Sequence, residues 1–493
     1  MTFSSRTKKL VFIISMTLFV SAILLAAADA VSGGGVVARI ASALGAYGRP
    51  NVLIITVDTL RADRLSQYGY GKKTSPALDQ FAAQATRFDN AYSTASWTVP
   101  ATATILSGLH PLRHGALNKG AALNPKIDTL AERLKRRGYD TAGFSANLHV
   151  SIKADFNQGF DVFYDYDGHD ALTYPDISET AAQIISWVKR RDTGNPFFIY
   201  FQPMNCHGPY KVPKQHDSAL LSRPPSRKFA YYKPPMNDIL FRGELDKRER
   251  VTPPYLKSLN EQYDTAVRYT TDQIETIFET LKEQGQWDNT LVILTADHGE
   301  ELFDHGGFSH GYTLFNEVVH VPLLIKLPGQ TAASHSKATA SLMDLVPTVL
   351  DTVTAKNEFN GDGNSLLPLL ADVNPDSGTY GPRDKAPFKD RSLLLAFGWE
   401  KRGVMDAVVG KIYKYISVKR DYTGRKNAKL LFNLKNDPSE TRNLVGQKPS
   451  VRKKMKALLD ERKRVYSENS LGKSGSVLDE MNVDALKALG YIQ

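Results

Sequence analysis

At 493 residues the chain is longer than one hydrophobic core usually supports, so a large domain with a smaller companion is expected. Hydrophobic residues at 42% and charged residues at 23% are ordinary globular proportions and exclude extensive disorder. Lys plus Arg exceed Asp plus Glu by 62 to 52, a formal net charge of +10, yet no nucleic-acid motif accompanies the excess, and the single cysteine, Cys206, excludes an intrachain disulfide.

Arg6, Lys8 and Lys9 precede an apolar run over residues 10–28, and Ala28-Asp29-Ala30 follows as a small-residue cleavage site. Export is expected, to the periplasm or the exterior. The run also suits a single membrane-spanning helix, so residues 1–30 are a cleaved signal or a retained anchor. Residues 31–50, with Gly33-Gly34-Gly35, read as a linker.

The first strand signal is the β-branched run 51–58, closed by Asp58. Next comes Ser96-Trp97-Thr98-Val99-Pro100, a turn with proline near a helix start in which Thr98 is an N-cap candidate. A hydroxyl there sits where backbone N–H groups favour an anion, so capping and nucleophilic roles are compatible. A helix-like stretch over 128–137 leads to a second apolar run, 197–201, with Cys206 and His207 shortly after it. Residues 211–255, rich in proline and basic side chains, read as an irregular insertion and lid candidate.

A helical pattern over 263–284 then feeds the third run, 290–295, which ends in Asp297-His298-Gly299-Glu300. Adjacent Asp and His at a strand end can reach one cation; a capping Asp beside a packed His is the plainer reading. Strands alternating with helices imply an α/β domain over 51–385 on a mostly parallel sheet, with ligands beyond the carboxyl ends of its strands. Short strand-like pieces at 392–397, 403–409, 411–418 and 429–434 predict a small antiparallel sheet within a subdomain over 386–493. Val451, Met455, Leu458, Leu459 and Val465 then recur at helical spacing. Arg452, Lys453, Lys454, Lys456, Arg462, Lys463 and Arg464 fall mainly on the solvated face of that helix; a membrane-surface or polyanion contact is the other reading.

Taken in order, the strand through Asp58, the block from Thr98 to Gly108-Leu109-His110-Pro111 with Arg113-His114-Gly115, and Asp297 to Glu300 resemble the sulfatase family of the alkaline-phosphatase superfamily. The stretch Gly306 to Gly311, Asn316-Glu317, Val321-Pro322-Leu323, and Leu431-Phe432-Asn433-Leu434 with Asp437-Pro438 and Glu440 extend the likeness. The resemblance implies a metal-dependent hydrolase of sulfate or phosphate esters. It also carries two departures. The usual sulfatase has Cys or Ser two residues before the proline, oxidised to formylglycine, and Arg two residues after it; this chain has Thr98 and Thr102. Threonine cannot become formylglycine, and Cys206 lacks the maturation spacing. Thr59 stands where calcium-dependent members carry a further aspartate, and His298 where many have Asn.

The expected site is therefore Asp58, Asp297 and His298 around one divalent cation that also takes the Thr98 oxygen, lowering its pKa for in-line attack. An imidazole and few hard oxygens favour Mn²⁺ or Zn²⁺, with Ca²⁺ or Mg²⁺ not excluded. His207 and His310 would meet the ester oxygens or protonate the leaving group. By the resemblance, His310 stands about where sulfatases place a substrate-binding lysine, and Asn147 near where another is usual. The alternatives are a phosphoethanolamine- or phosphoglycerol-type transferase and a non-catalytic binding protein of the same fold. The oligomeric state is not readable from the sequence.

Overall fold

The computed structural model describes residues 49–472 and 475, apart from 119, 167–173, 192–193, 211, 214–215, 217–250, 354–358, 371–384, 400–402 and 421–425. The leader 1–30, nearly all of the linker 31–50 and most of the insertion 211–255 lie outside the described residues.

The large sheet is built from β1 (Asn51–Val57), β2 (Thr86–Tyr92), β3 (Asp140–Ser145), β4 (Val162–Tyr164), β5 (Phe197–Gln202) and β6 (Thr290–Ala296). A short hairpin, β7 (Glu301–Leu302) with β8 (Phe308–Ser309), stands apart; β9 (Leu323–Lys326) and β10 (Ser334–Ser341) complete the large sheet. Its eight strands run in the order β10-β2-β9-β6-β1-β5-β3-β4, and β9 alone is antiparallel to its neighbours. The fold is the predicted α/β architecture on a mostly parallel sheet. The central strands β1, β5 and β6 are buried at every position, which is why they read as unbroken apolar runs instead of alternating ones.

The helices are α1 (Pro76–Ala82), α2 (Thr98–Ser107), α3 (Pro111–His114), α4 (Leu130–Lys135), α5 (Ile177–Arg190), α6 (Pro253–Glu283), α7 (Asn316–Val319), α8 (Leu345–Val353) and α9 (Pro449–Glu468). The 128–137 pattern corresponds to α4, which Thr129 and Glu132 close with a capping box. Two boundaries correct the sequence reading. α6 starts at Pro253, ten residues before the predicted start: Pro253 and Pro254, assigned above to the irregular insertion, occupy its first turn, where a missing N–H costs nothing, and Thr252 caps it. Thr98 is the first residue inside α2, and Trp97 is its N-cap.

Strands β11 (Leu393–Trp399), β12 (Gly403–Val409), β13 (Tyr413–Arg420) and β14 (Lys426–Asn433) form the predicted antiparallel sheet in simple meander order. Leu393, Leu395, Met405 and Ile416 belong to the main core, while Leu394, Val408, Tyr415 and Leu431 pack with Met455 and Leu459 of α9. Alternation along each strand thus splits the sheet between the large domain and its own helix. A buried pair fastens it: Lys414 Nζ lies 2.9 Å from Glu440, and both also bond Asn316 of α7.

Candidate metal centre and active site

Parallel pairing of β1 with β6 sets Val57 beside Ala296, so Asp58 and Asp297 leave the sheet as neighbours. With His298 they form a fully buried group whose ligand atoms all lie within 4.8 Å of one another. Gly299 follows because the carbonyl of Glu317 lies only 2.1 Å from where a Cβ would stand. Thr59 adopts φ 59°, an uncommon conformation for a β-branched residue, and is held there by its N–H to Asp297 Oδ1 (3.2 Å) and its hydroxyl to the Cys206 carbonyl (2.6 Å).

Thr98 Oγ1 is 3.3 Å from His298 Nε2, 3.5 Å from Asp58 Oδ2 and 3.5 Å from Asn147 Nδ2. His298 Nδ1–H donates to the Gly299 carbonyl at 2.9 Å, which leaves the Nε2 lone pair aimed at the carboxylates; Nε2 lies 3.4 Å from Asp297 Oδ2. Burial, then the neighbouring Asp297 charge, pushes Asp58 up to about 6, and burial pushes Asp297 up to about 7. Burial also holds His298 and His207 below the ordinary histidine range.

Two buried carboxylates stand beside a neutral imidazole, with no cationic side chain in the group. Asp58 Oδ1 is buried and accepts no hydrogen bond. An orphaned carboxylate oxygen facing a second carboxylate and an imidazole lone pair is the signature of a divalent cation site, and the O/O/N donor set fits one.

The other predicted residues gather at the same place. The His310 ring lies 4.5 Å from that of His298 and 4.9 Å from that of His207. His207 Nδ1–H donates to the Gly208 carbonyl (2.7 Å) and His310 Nδ1 pairs with Glu300 (2.9 Å), so each ring offers Nε2 on its other side. Thr98, Asp58, Asp297 and His298 have no exposed surface, whereas His207 and His310 retain 4% and 7%, so among the described residues the group is least covered on the side of these two rings. Cys206 is a buried core residue beside Thr270, its thiol pushed up to about 12 by burial.

Three contributors were not identified as such from the sequence. Gln202 Nε2 spans Asp58 (3.4 Å) and Asp297 (3.3 Å), and its Oε1 takes the hydroxyls of Tyr200 (2.7 Å) and Thr102 (3.3 Å). Asn147 Nδ2 donates to Asp58 Oδ2 at 2.6 Å, a role its resemblance to a lysine position did not suggest. Glu300 orients His310 and accepts from the Tyr210 hydroxyl at 3.1 Å; burial raises its carboxyl well above the usual range. The strand-end argument contained the signal for Gln202, because β5 runs one residue beyond the predicted 197–201 and Gln202 is its last residue.

Comparison with known proteins gives two family matches: the model described as Sulfatase over residues 50–355, and N-sulphoglucosamine sulphohydrolase, C-terminal, over residues 304–465. A multifunctional alkaline phosphatase superfamily protein of Trinickia caryophylli is 24% identical over 483 residues, covering 81% of this chain and 91% of that protein. An N-acetylglucosamine-6-O-sulfatase of Bacteroides thetaiotaomicron is 23% identical, covering 87% and 89%. Among solved structures, the phosphonate monoester hydrolase of Agrobacterium radiobacter matches with a TM-score of 0.63 at 21% identity, over 85% of this chain and 96% of that one. A protein solved with its substrate D-glucosamine-2-N,6-O-disulfate matches with a TM-score of 0.66 at 19% identity, over 85% and 99%.

Proposed function

The chain belongs to the sulfatase family of the alkaline-phosphatase superfamily, a family of ester hydrolases, and on that premise we propose that Thr98 is itself the nucleophile and that phosphorus esters are preferred to sulfate esters. The observation that carries the reading is the Thr98 hydroxyl standing against Asp58 and His298 of the buried candidate cation site.

Asp58, Asp297 and His298 would hold the cation, with Mn²⁺ or Zn²⁺ favoured by the mixed oxygen and nitrogen donors. When bound it supplies Lewis acidity at the reacting centre. The chain's own residues do the rest. Asn147 and Gln202 orient the carboxylates, and with His298 Nε2 given to the cation it is Asp58 Oδ2, 3.5 Å from the Thr98 hydroxyl, that takes the proton, its Oδ1 being left for the cation. Oγ1 attacks phosphorus as the ester P–O bond breaks. His310, oriented by Glu300, protonates the departing oxygen, while His207, whose N–H goes to the Gly208 carbonyl, presents Nε2 as an acceptor. Water, giving a proton back to His310, then displaces Thr98 from phosphorus, and the Thr98 oxygen regains the proton held by Asp58.

Phosphorus is favoured because of what threonine lacks. A formylglycine hydrate has a second hydroxyl on the attacked carbon and can expel sulfate by reverting to the aldehyde. Sulfated Thr98 has no such exit, whereas a phosphoryl group leaves by in-line displacement. Thr102, which bonds Gln202, also leaves the site without the guanidinium that would grip a sulfate in two-pronged fashion. The exported or anchored location rests on the leader alone.

Comparing kcat/KM for paired nitrophenyl phosphate, phosphodiester, phosphonate and sulfate substrates on metal-loaded protein tests this reading, with Thr98→Ala as the blank. Preference for a phosphorus ester, lost in the blank, is expected. A sulfate preference lost in that blank would overturn the ranking and leave the nucleophile standing. Turnover undiminished by Thr98→Ala would remove the nucleophile assignment.

A further inference from the structure

The basic run that begins at Arg452 takes no part in the catalytic reading. It forms the exposed side of α9, whose buried side, with Met455, Leu459 and Tyr466, packs on the four-stranded sheet. Where the first turn of α9 meets β13 and β14 there is a cavity of about 480 Å³ lined by Tyr415, Lys429, Ser450, Arg452, Lys453 and Lys456, and no carboxylate lines it. Lys456 pairs with Asp460; Lys429, Arg452 and Lys453 make no ion pair with any described residue.

Two independent features point into this space. α9 opens without a side-chain cap and without an acidic residue in its first turn. Arg452 N–H bonds the Lys448 carbonyl at 3.0 Å, so the amides of Ser450 and Val451 precede any intrahelical acceptor; Ser450 lines the cavity, which thus meets the partially positive end of the helix. The second feature is Tyr415. Its ring packs in the cluster of Leu394, Val408, Leu431 and Met455, its side chain is 1% exposed, and its buried hydroxyl has no hydrogen-bond partner. Phenylalanine would fill the same volume without stranding a donor.

We propose that this cavity is an oxyanion site, separate from the catalytic centre, that takes the sulfate or phosphate group of a soluble ester or the free ion. The Tyr415 hydroxyl and the opening amides of α9 donate to its oxygens, and Lys429, Arg452 and Lys453 balance its charge. None of these residues belongs to the catalytic group, so this site stands or falls separately from the nucleophile assignment.

The test titrates inorganic phosphate by calorimetry into the full metal-loaded chain carrying Thr98→Ala, with a sugar phosphate and phosphatidylglycerol vesicles as further arms. A binding event beyond that of the catalytic centre is expected. The double substitution R452A/K453A removes it, and Tyr415→Phe weakens it about tenfold. Without phosphate, Tyr415→Phe should melt no lower than its parent, and in the Thr98 background both variants should keep kcat/KM on a nitrophenyl ester. Phosphate binding unchanged in both variants would overturn the site. Vesicles held through these residues while free phosphate and the sugar phosphate are ignored would assign the face to a membrane and equally overturn it.

Discussion

Replacing Gln202 with methionine keeps the side-chain volume and deletes the amide that spans Asp58 and Asp297. Its two contacts, 3.4 and 3.3 Å, are longer than the ~2.7–3.2 Å of a well-formed bond, so each is worth about 1 kcal/mol and not the ~1.5–3 kcal/mol usual toward a charged acceptor. Together they amount to ~2 kcal/mol, or ~30-fold in cation affinity, within the ~10–100-fold range for groups that orient metal ligands. Methionine also strips an acceptor from the hydroxyls of Tyr200 and Thr102. Gln202→Glu acts in the opposite direction: the same two hydroxyls can donate to it, and a third carboxylate beside the pair strengthens its hold on a divalent ion. Competition against a fluorescent Mn²⁺ chelator reads both changes, with Asp297→Ala as the reference that retains no metal. Affinity is expected to be highest in Gln202→Glu, intermediate in the parent and lowest in Gln202→Met. Two variants that bind like the parent, or that move in the same direction, would refute the idea that this amide arranges the carboxylates for a cation.

Cys206→Ser should leave kcat/KM unchanged, because the thiol is a core group beside Thr270; loss of turnover in a protein whose circular dichroism is intact would contradict that placement. Lys414→Met strands the buried Glu440 carboxylate and should cost about 3–5 kcal/mol in urea unfolding. Adding Glu440→Gln should recover part of it, since an amide oxygen still accepts the Asn316 N–H at 2.6 Å; a double variant weaker than the single one would count against the pairing. Acid should unfold the protein partly through His110 and His114. Burial pushes both down from 6.5 to about 3, and each Nδ1 accepts a backbone N–H that protonation would oppose. Their folded values lie below the unfolded one, so the stability they contribute is complete above pH 6.5 and lost as pH falls toward 3, by up to ~1.4 kcal/mol per pH unit for each ring. His114→Gln should flatten the fall in urea midpoint between neutral and acid pH, and an unchanged slope would exclude this cause.

The sequence carried the parts of the site that strand chemistry dictates. Asp58 and Asp297-His298 end runs too apolar to be anything but buried strands, and buried strands deliver their last side chains to one edge. What it could not carry is distance across the sheet. Nothing in the spacing of Gln202 or Asn147 says that their amides meet the same carboxylate, because that follows from β5 and β3 lying side by side on one flank of β1. The start of α6 was hidden for a different reason: Pro253 and Pro254 signal irregular chain everywhere except in a first helical turn, and only the Thr252 cap distinguishes the two. His110 and His114 also read as members of a motif, while in the fold they are packing elements. His110 stacks on Tyr466 at 4.1 Å and bonds the Leu394 carbonyl, joining α3 to the smaller sheet.

The pairing of β1 with β6 fixes what sequence change the cation site can survive. Loops around it can lengthen or shorten without moving Asp58 relative to Asp297, since their separation is set by the continuous ladder from Asn51 opposite Thr290 to Val57 opposite Ala296. A single-residue deletion within either strand is another matter: it turns every following side chain to the opposite face and carries one carboxylate out of the site, whatever residues surround it. Length variation in this chain's relatives should therefore be plentiful between strands and absent inside these two, and a graft of new loops onto the sheet edge should inherit a working metal centre without redesign.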